Sequence, residues 1–260
     1  MPNESSTVDN IAVAISDPGE KLRDEHYFID RLVIGIANTV AWIFPILMLA
    51  IVAQVTMRKL GFNQAWLDDA QWWMYGFAMI TAFGYAITTD SHVRVDIFHQ
   101  NYSVTKKAKL ELFAIGWLLL PFIAMMIDIM SQYAWASWIA KEGSDSPNGL
   151  HRLYLLKLSL PVLLVVAALA GLSMIRRNLN KFTQPTLLKC VFCAFPFFWF
   201  VFDRVVFHVF YWYIHISQPD LNTRRIPKEP LMEQTTITAI ALLLLLIIGL
   251  WFFGRNRRQQ

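Results

Sequence analysis

The chain has 260 residues, of which 56% are hydrophobic without counting glycine and only 16% are charged, against roughly 25% charged in an average soluble protein. Mean hydropathy is +0.41 and the charges fall between long uncharged runs, which excludes a water-soluble enzyme, a disordered tail and a disulfide-stapled secreted domain. The net charge of +4 sits in the loops between those runs, where membrane topology explains it better than nucleic acid does.

Residues 1–29 are polar and net acidic, and their longest apolar run, Ile11 to Ile15, is too short for a signal-peptide core. The segment is therefore expected to stay cytoplasmic. A bilayer-spanning helix needs about 20 mostly apolar residues. Leu32 to Met57 supplies a first span, and Ala70 to Thr89 a second, bounded by Asp68, Asp69 and Asp90. Leu112 to Ile127 gives the third, with a helical pattern running on past Asp128 to Ala140 and an interfacial aromatic belt in Tyr133, Trp135 and Trp138. Leu158 to Ile175 makes the fourth. Beyond it, Cys190 to Phe202 and Val205 to Pro219 are uncharged but interrupted by Asp203 and Arg204, so residues 187–216 either span the bilayer or lie on its surface. Gln234 to Gly254 is the last span, followed by Arg255, Arg257 and Arg258.

Basic residues favour the cytoplasmic side. With six spans and both ends cytoplasmic, fourteen lysines and arginines fall in inner segments and eight in outer loops. Five spans would put the arginine-rich tail outside. The expected fold is thus an all-α integral membrane bundle: a four-span core over residues 30–178 and two further spans in an extension over 179–260.

The densest polar signal is Asp90-Ser-His-Val-Arg-Val-Asp96, where the second span leaves the membrane. Arg94 can bridge to a neighbouring aspartate or grip a partner's carboxylate with its guanidinium fork; a solvated stop-transfer loop accounts for the same residues. No nucleophile–base pair or metal-ligand spacing accompanies it. Asp128, Asp203 and Arg204 are the ionisable groups inside apolar stretches, which makes them intramembrane polar candidates. Counting from Lys109 places Asp128 at the outer interface, whereas the adjacent Asp203 and Arg204 point apart on a helix and call for partners on other spans or subunits. Ala78, Ala82 and Ala86, with Gly76 and Gly84, form a small-residue face suited to close helix packing, and Ala167 and Gly171 repeat the spacing. The pairs His92/His99 and His208/His215 raise the alternative of a membrane-anchor cytochrome b-type subunit of a respiratory enzyme, although neither pair has an obvious opposite. Cys190 and Cys193 read as packing residues on one helix. Matched broken helices, a filter loop and a nucleotide motif are all missing, so the chain reads as a helical subunit of a larger machine.

The order of motifs is specific. Val55-Thr-Met-Arg58 is followed by Trp66-Leu-Asp-Asp69, Gly84, His92-Val-Arg-Val-Asp96, Lys141-Glu-Gly-Ser144 and Leu155-x-Lys157-x-x-x-Pro161. Over roughly residues 30–178 this resembles the DctQ family, the small membrane subunit of TRAP (tripartite ATP-independent periplasmic) transporters, with Asp69 standing where the family commonly has Glu. The resemblance implies a multi-pass protein of the bacterial inner membrane that is not an enzyme and needs no metal or cofactor. Its partners would be membrane lipid, a large permease subunit carrying the substrate and sodium sites, and a periplasmic protein that captures an organic acid. It further implies that Arg58, Trp66, Asp68 and Asp69 face the periplasmic side with Glu142 and Ser144, while His92, Arg94 and Asp96 fix the cytoplasmic end.

Overall fold

The computed structural model describes residues 23–91 and 102–256, and every element among them is helical. Besides the 3-10 turns Arg23–Glu25 and Ile226–Lys228, these are in chain order α1 (Phe28–Ala41), α2 (Ile43–Lys59), α3 (Ala65–Thr89), α4 (Val104–Ala140), α5 (Tyr154–Asn180), α6 (Leu187–Cys193), α7 (Phe195–Ser217), the single turn α8 (Pro230–Glu233) and α9 (Thr235–Asn256).

Among the described residues five stretches are long and apolar enough to cross a membrane: the α1–α2 run Phe28–Lys59, α4, α5, α7 and α9 from Thr235 to Phe252. The expected second span is the exception. α3 has 25 residues, but its first turns carry Asp68, Asp69 and Gln71, and its body carries Thr81, Thr88 and Thr89. Those hydroxyls donate to the carbonyls of Phe77, Gly84 and Tyr85 at 2.9, 3.1 and 2.9 Å, so the helix satisfies these three groups itself. α3 stops at Thr89 because Asp90 turns left-handed at φ 59°, a conformation that aspartate tolerates better than most residues.

Proline sets the other irregularities. Pro121 has no N–H for the Trp117 carbonyl, and α4 widens into a π-helical stretch at Ala114–Leu119 just before it. Pro196 likewise cannot donate to Phe192, and the helical run breaks at Ala194, between α6 and α7. α7 then continues unbroken through Asp203 and Arg204, so one helix carries both charges and joins the uncharged stretches on either side of them.

The chain divides into two compact units. One holds α1–α3, α4 from Ile129 and α5 as far as Met174. In it Val33 of α1 and Ala167 of α5 both approach Gly84 of α3, where an added Cβ would lie 3.7 and 3.6 Å from them. The buried face of α3 is Ala78, Thr81, Gly84, Ile87 and Thr88; Ala82 is exposed, so the packing stripe is rotated from the alanine repeat. On α5 Ala167 and Gly171, the pair with that spacing, are buried, and so are the neighbouring Ala168 and Ala170.

The other unit holds α4 up to Asp128 and the chain from Ile175 onward. Here α7 packs along α9. The connection between them folds back on α7, with Ile226 and Met232 buried against Ile214, Phe207, Phe210 and Tyr211. Gly116, in the π-helical stretch, meets the carbonyl of Cys193 at the α6–α7 break; a Cβ there would lie 2.1 Å from that oxygen.

Candidate functional site

Three of the expected docking residues gather around the start of α3. Asp68 and Asp69 are adjacent, so on a helix they face different neighbours. Asp68 turns to α2, where Arg58 Nη2 stands 3.6 Å from Oδ2 and the Gln54 amide donates to Oδ1. Gln54 is itself buried and accepts from Gln71 Nε2 at 2.6 Å. Trp66, partly exposed, donates its indole N–H to Gln64 at 2.7 Å.

Asp69 turns to the loop joining α4 and α5. Its Oδ2 accepts the Leu150 N–H at 2.9 Å, and Ser144 closes the same loop by donating its backbone N–H to the Leu150 carbonyl at 3.0 Å. Gly149 lies between them, where a Cβ would sit 2.2 Å from Ser144 Oγ and 2.6 Å from Asp69 Oδ2. A side chain at 149 would collide with both, so glycine lets the loop come down onto the aspartate.

Glu142 anchors the start of the loop. It accepts from Lys157 Nζ at 2.5 Å and from Ser137 Oγ at 2.6 Å. Lys157 also lies over the Tyr133 ring, 4.3 Å from its centroid. The Lys157 hydrogen bond, then that of Ser137, holds the Glu142 carboxyl below the usual carboxylate range. Because the folded pKa is depressed, this contribution is complete above the ordinary glutamate value and is lost as pH falls through the lower, folded one. The protection factors of the amides in residues 142–150, taken against intrinsic exchange at each pH, are therefore expected to fall between pH 6 and pH 3 more than those of the other loops. Glu142→Gln should flatten that difference; an unchanged profile in the variant would remove the anchor.

The intramembrane candidates also have partners. Asp128 on α4 faces His208 on α7, with Oδ1 3.1 Å from Nε2. Asp203 and Arg204 bind each other, Nη2 to Oδ2 at 2.8 Å, because the long arginine side chain curls back over Phe207, 4.8 Å from its ring centroid. The remaining Asp203 oxygen accepts from Thr236 of α9 at 3.0 Å. Asp203 thus has a partner on α9, whereas Arg204 pairs with its own neighbour instead of pointing apart from it. Gln54, Gln71 and Thr236 escaped the sequence reading, which weighed His208 only as a haem ligand. Gln54 carried a signal, as an amide within an uncharged span; His208 and Thr236 become partners only once α7 is continuous.

His92, Arg94 and Asp96 lie outside the described residues. Cys190 and Cys193 are free thiols on α6. Among the described residues no group of three or more His, Cys, Asp or Glu side chains is placed to hold a metal.

A family model described as "Tripartite ATP-independent periplasmic transporters, DctQ component" matches residues 47–181. The chain belongs to the DctQ family. That match runs from α2 to the end of α5 and takes in Arg58, Asp68, Asp69, Glu142 and Ser144. No curated protein and no solved structure matches the chain. Membership makes it a multi-pass membrane component of a transporter, the small TRAP permease subunit, rather than an enzyme, and sets aside the respiratory-anchor alternative.

Proposed function

We propose that this DctQ-family chain serves a sodium-coupled system for uptake of organic acids across the bacterial inner membrane. It braces the large permease subunit and offers part of the surface on which the periplasmic binding protein docks. The family match carries this reading. The ordered clasp of Arg58, Asp68, Asp69, Glu142 and Ser144 supports it, because a docking surface has to be held in shape before its partner arrives.

In this reading α3 crosses the membrane as a sixth span. Its 25 residues extend about 37 Å, enough for a hydrocarbon core of about 30 Å, and its hydroxyls are internally bonded. Both termini then face the cytoplasm, His92, Arg94 and Asp96 lie at the cytoplasmic end, and residues 179–260 add two spans to the four-span core.

The test is reconstitution into proteoliposomes. Uptake of a labelled organic acid should require the large subunit, this chain, the binding protein and a sodium gradient. Arg94→Ala should lower recovery of the two-subunit complex while the chain still inserts. Uptake by this chain alone would overturn the proposal.

A further inference from the structure

The loop between α4 and α5 carries a feature that shares only Ser144 with the docking clasp. Lys141, Gly143, Ser144, His151, Arg152 and Tyr154 line an open cleft of about 360 Å³. Its two ends are non-glycine residues with positive φ, Lys141 at 49° and Arg152 at 104°. Backbone held in such conformations tends to cluster at binding sites, where the surrounding structure over-determines it.

Neither cation has an ion-pair partner among the described residues. Lys141 Nζ sits 4.0 Å from the Trp138 ring centroid and 5.2 Å from that of Tyr154, which fix its position without neutralising it. The adjacent Glu142 is taken up by Lys157 at 2.5 Å. Arg152 has no side-chain hydrogen bond or ion pair among the described residues. His151 donates its Nδ1–H to the Gly149 carbonyl at 2.9 Å and forms one wall.

What lies beside the cleft identifies the ligand. α4 ends at Ala140 and α5 begins at Tyr154, both apolar enough to cross a membrane, so the cleft stands where they leave it. On the adjoining turns Trp135, Ile139 and Leu155 are exposed at 53%, 64% and 46%. A pair of cations, one of them a guanidinium fork, above an exposed apolar shelf and inside an aromatic belt matches a charged headgroup with its acyl chains. An acidic side chain of a soluble partner would leave the shelf unused. We infer that the Lys141–Arg152 cleft binds the phosphodiester headgroup of an anionic phospholipid.

The experiment uses the full-length chain in nanodiscs containing phosphatidylglycerol and phosphatidylcholine, followed by native mass spectrometry of the retained lipid. Lys141→Asn and Arg152→Gly remove the charges while suiting the positive φ, so the loop keeps its fold. The wild type should retain phosphatidylglycerol preferentially, by roughly five-fold for each cation, and the double variant should approach parity at an unchanged melting temperature. Equal retention of the two lipids by the wild type, or undiminished phosphatidylglycerol preference in the variant, would overturn the inference. So would a variant that loses capture of the periplasmic binding protein while its lipid preference is intact, since the cleft would then be a protein contact.

Discussion

Gly116→Ala should destabilise the protein by about 3 kcal/mol or more, at the upper end of the usual cost of forcing atoms into a packed interior. The added Cβ would stand 2.1 Å from the Cys193 carbonyl oxygen, 2.9 Å from its carbon and 3.5 Å from the Ala194 Cα. All three are backbone atoms, so no rotamer change relieves the contact. Either the π-helical stretch of α4 closes up or the α6–α7 break moves, and prolines hold both in place. An alanine in a helix interior is otherwise favoured over glycine by about 1 kcal/mol. Gly249→Ala on α9, where nothing lies within 4 Å of the added carbon, should accordingly be neutral or stabilising. Melting temperatures of the detergent-purified variants decide the matter. A Gly116→Ala protein that melts with Gly249→Ala would mean that α4 and the helix break do not touch as described.

Gly116 also shows where sequence reading stops. The apolar runs, the stop at Asp90, the aromatic belt before Lys141 and the order of family motifs could all be read from hydropathy, charge and spacing, which are local. The demand for glycine at 116 comes from a carbonyl 77 positions away, exposed by a break that Pro196 causes in another helix. The Asp128–His208 contact has the same character, joining residues 80 positions apart. At the clasp the reading went further, because the family motifs singled out Asp69 and Ser144 together. The motifs gave no role to Gly149, which lets that aspartate and serine share one loop. The alanine repeat of α3 misled for a physical reason. Threonine hydroxyls bonded to their own helix pack as small residues, so Thr81 and Thr88 fill the buried face while Ala82 stays outside.

Asp203 and Arg204 looked like an interruption because charges count against a membrane helix one at a time. Together they form a closed group: the guanidinium is bound to the Asp203 carboxylate and stacked on Phe207, and the carboxylate is bound again by Thr236. The side chains are 17% and 32% exposed, so removing one partner leaves the other charge with little water to turn to. Asp203→Leu should therefore cost about 1–3 kcal/mol, the range for leaving a partly buried polar group unsatisfied. It also deprives Thr236 of its acceptor. Asp203→Leu combined with Arg204→Leu removes both charges and leaves an uninterrupted apolar helix, which is often neutral or better in such exchanges. The double variant should thus melt close to the wild type and well above the Asp203→Leu single variant. If instead it melts as low as the single variant, the pair does more than cancel its own charge, and Arg204 has a role that leucine cannot fill. Thr236→Val separates the remaining contribution: it should lower the melting temperature in the wild-type background and leave it unchanged in the double variant, where no carboxylate remains to accept its hydroxyl.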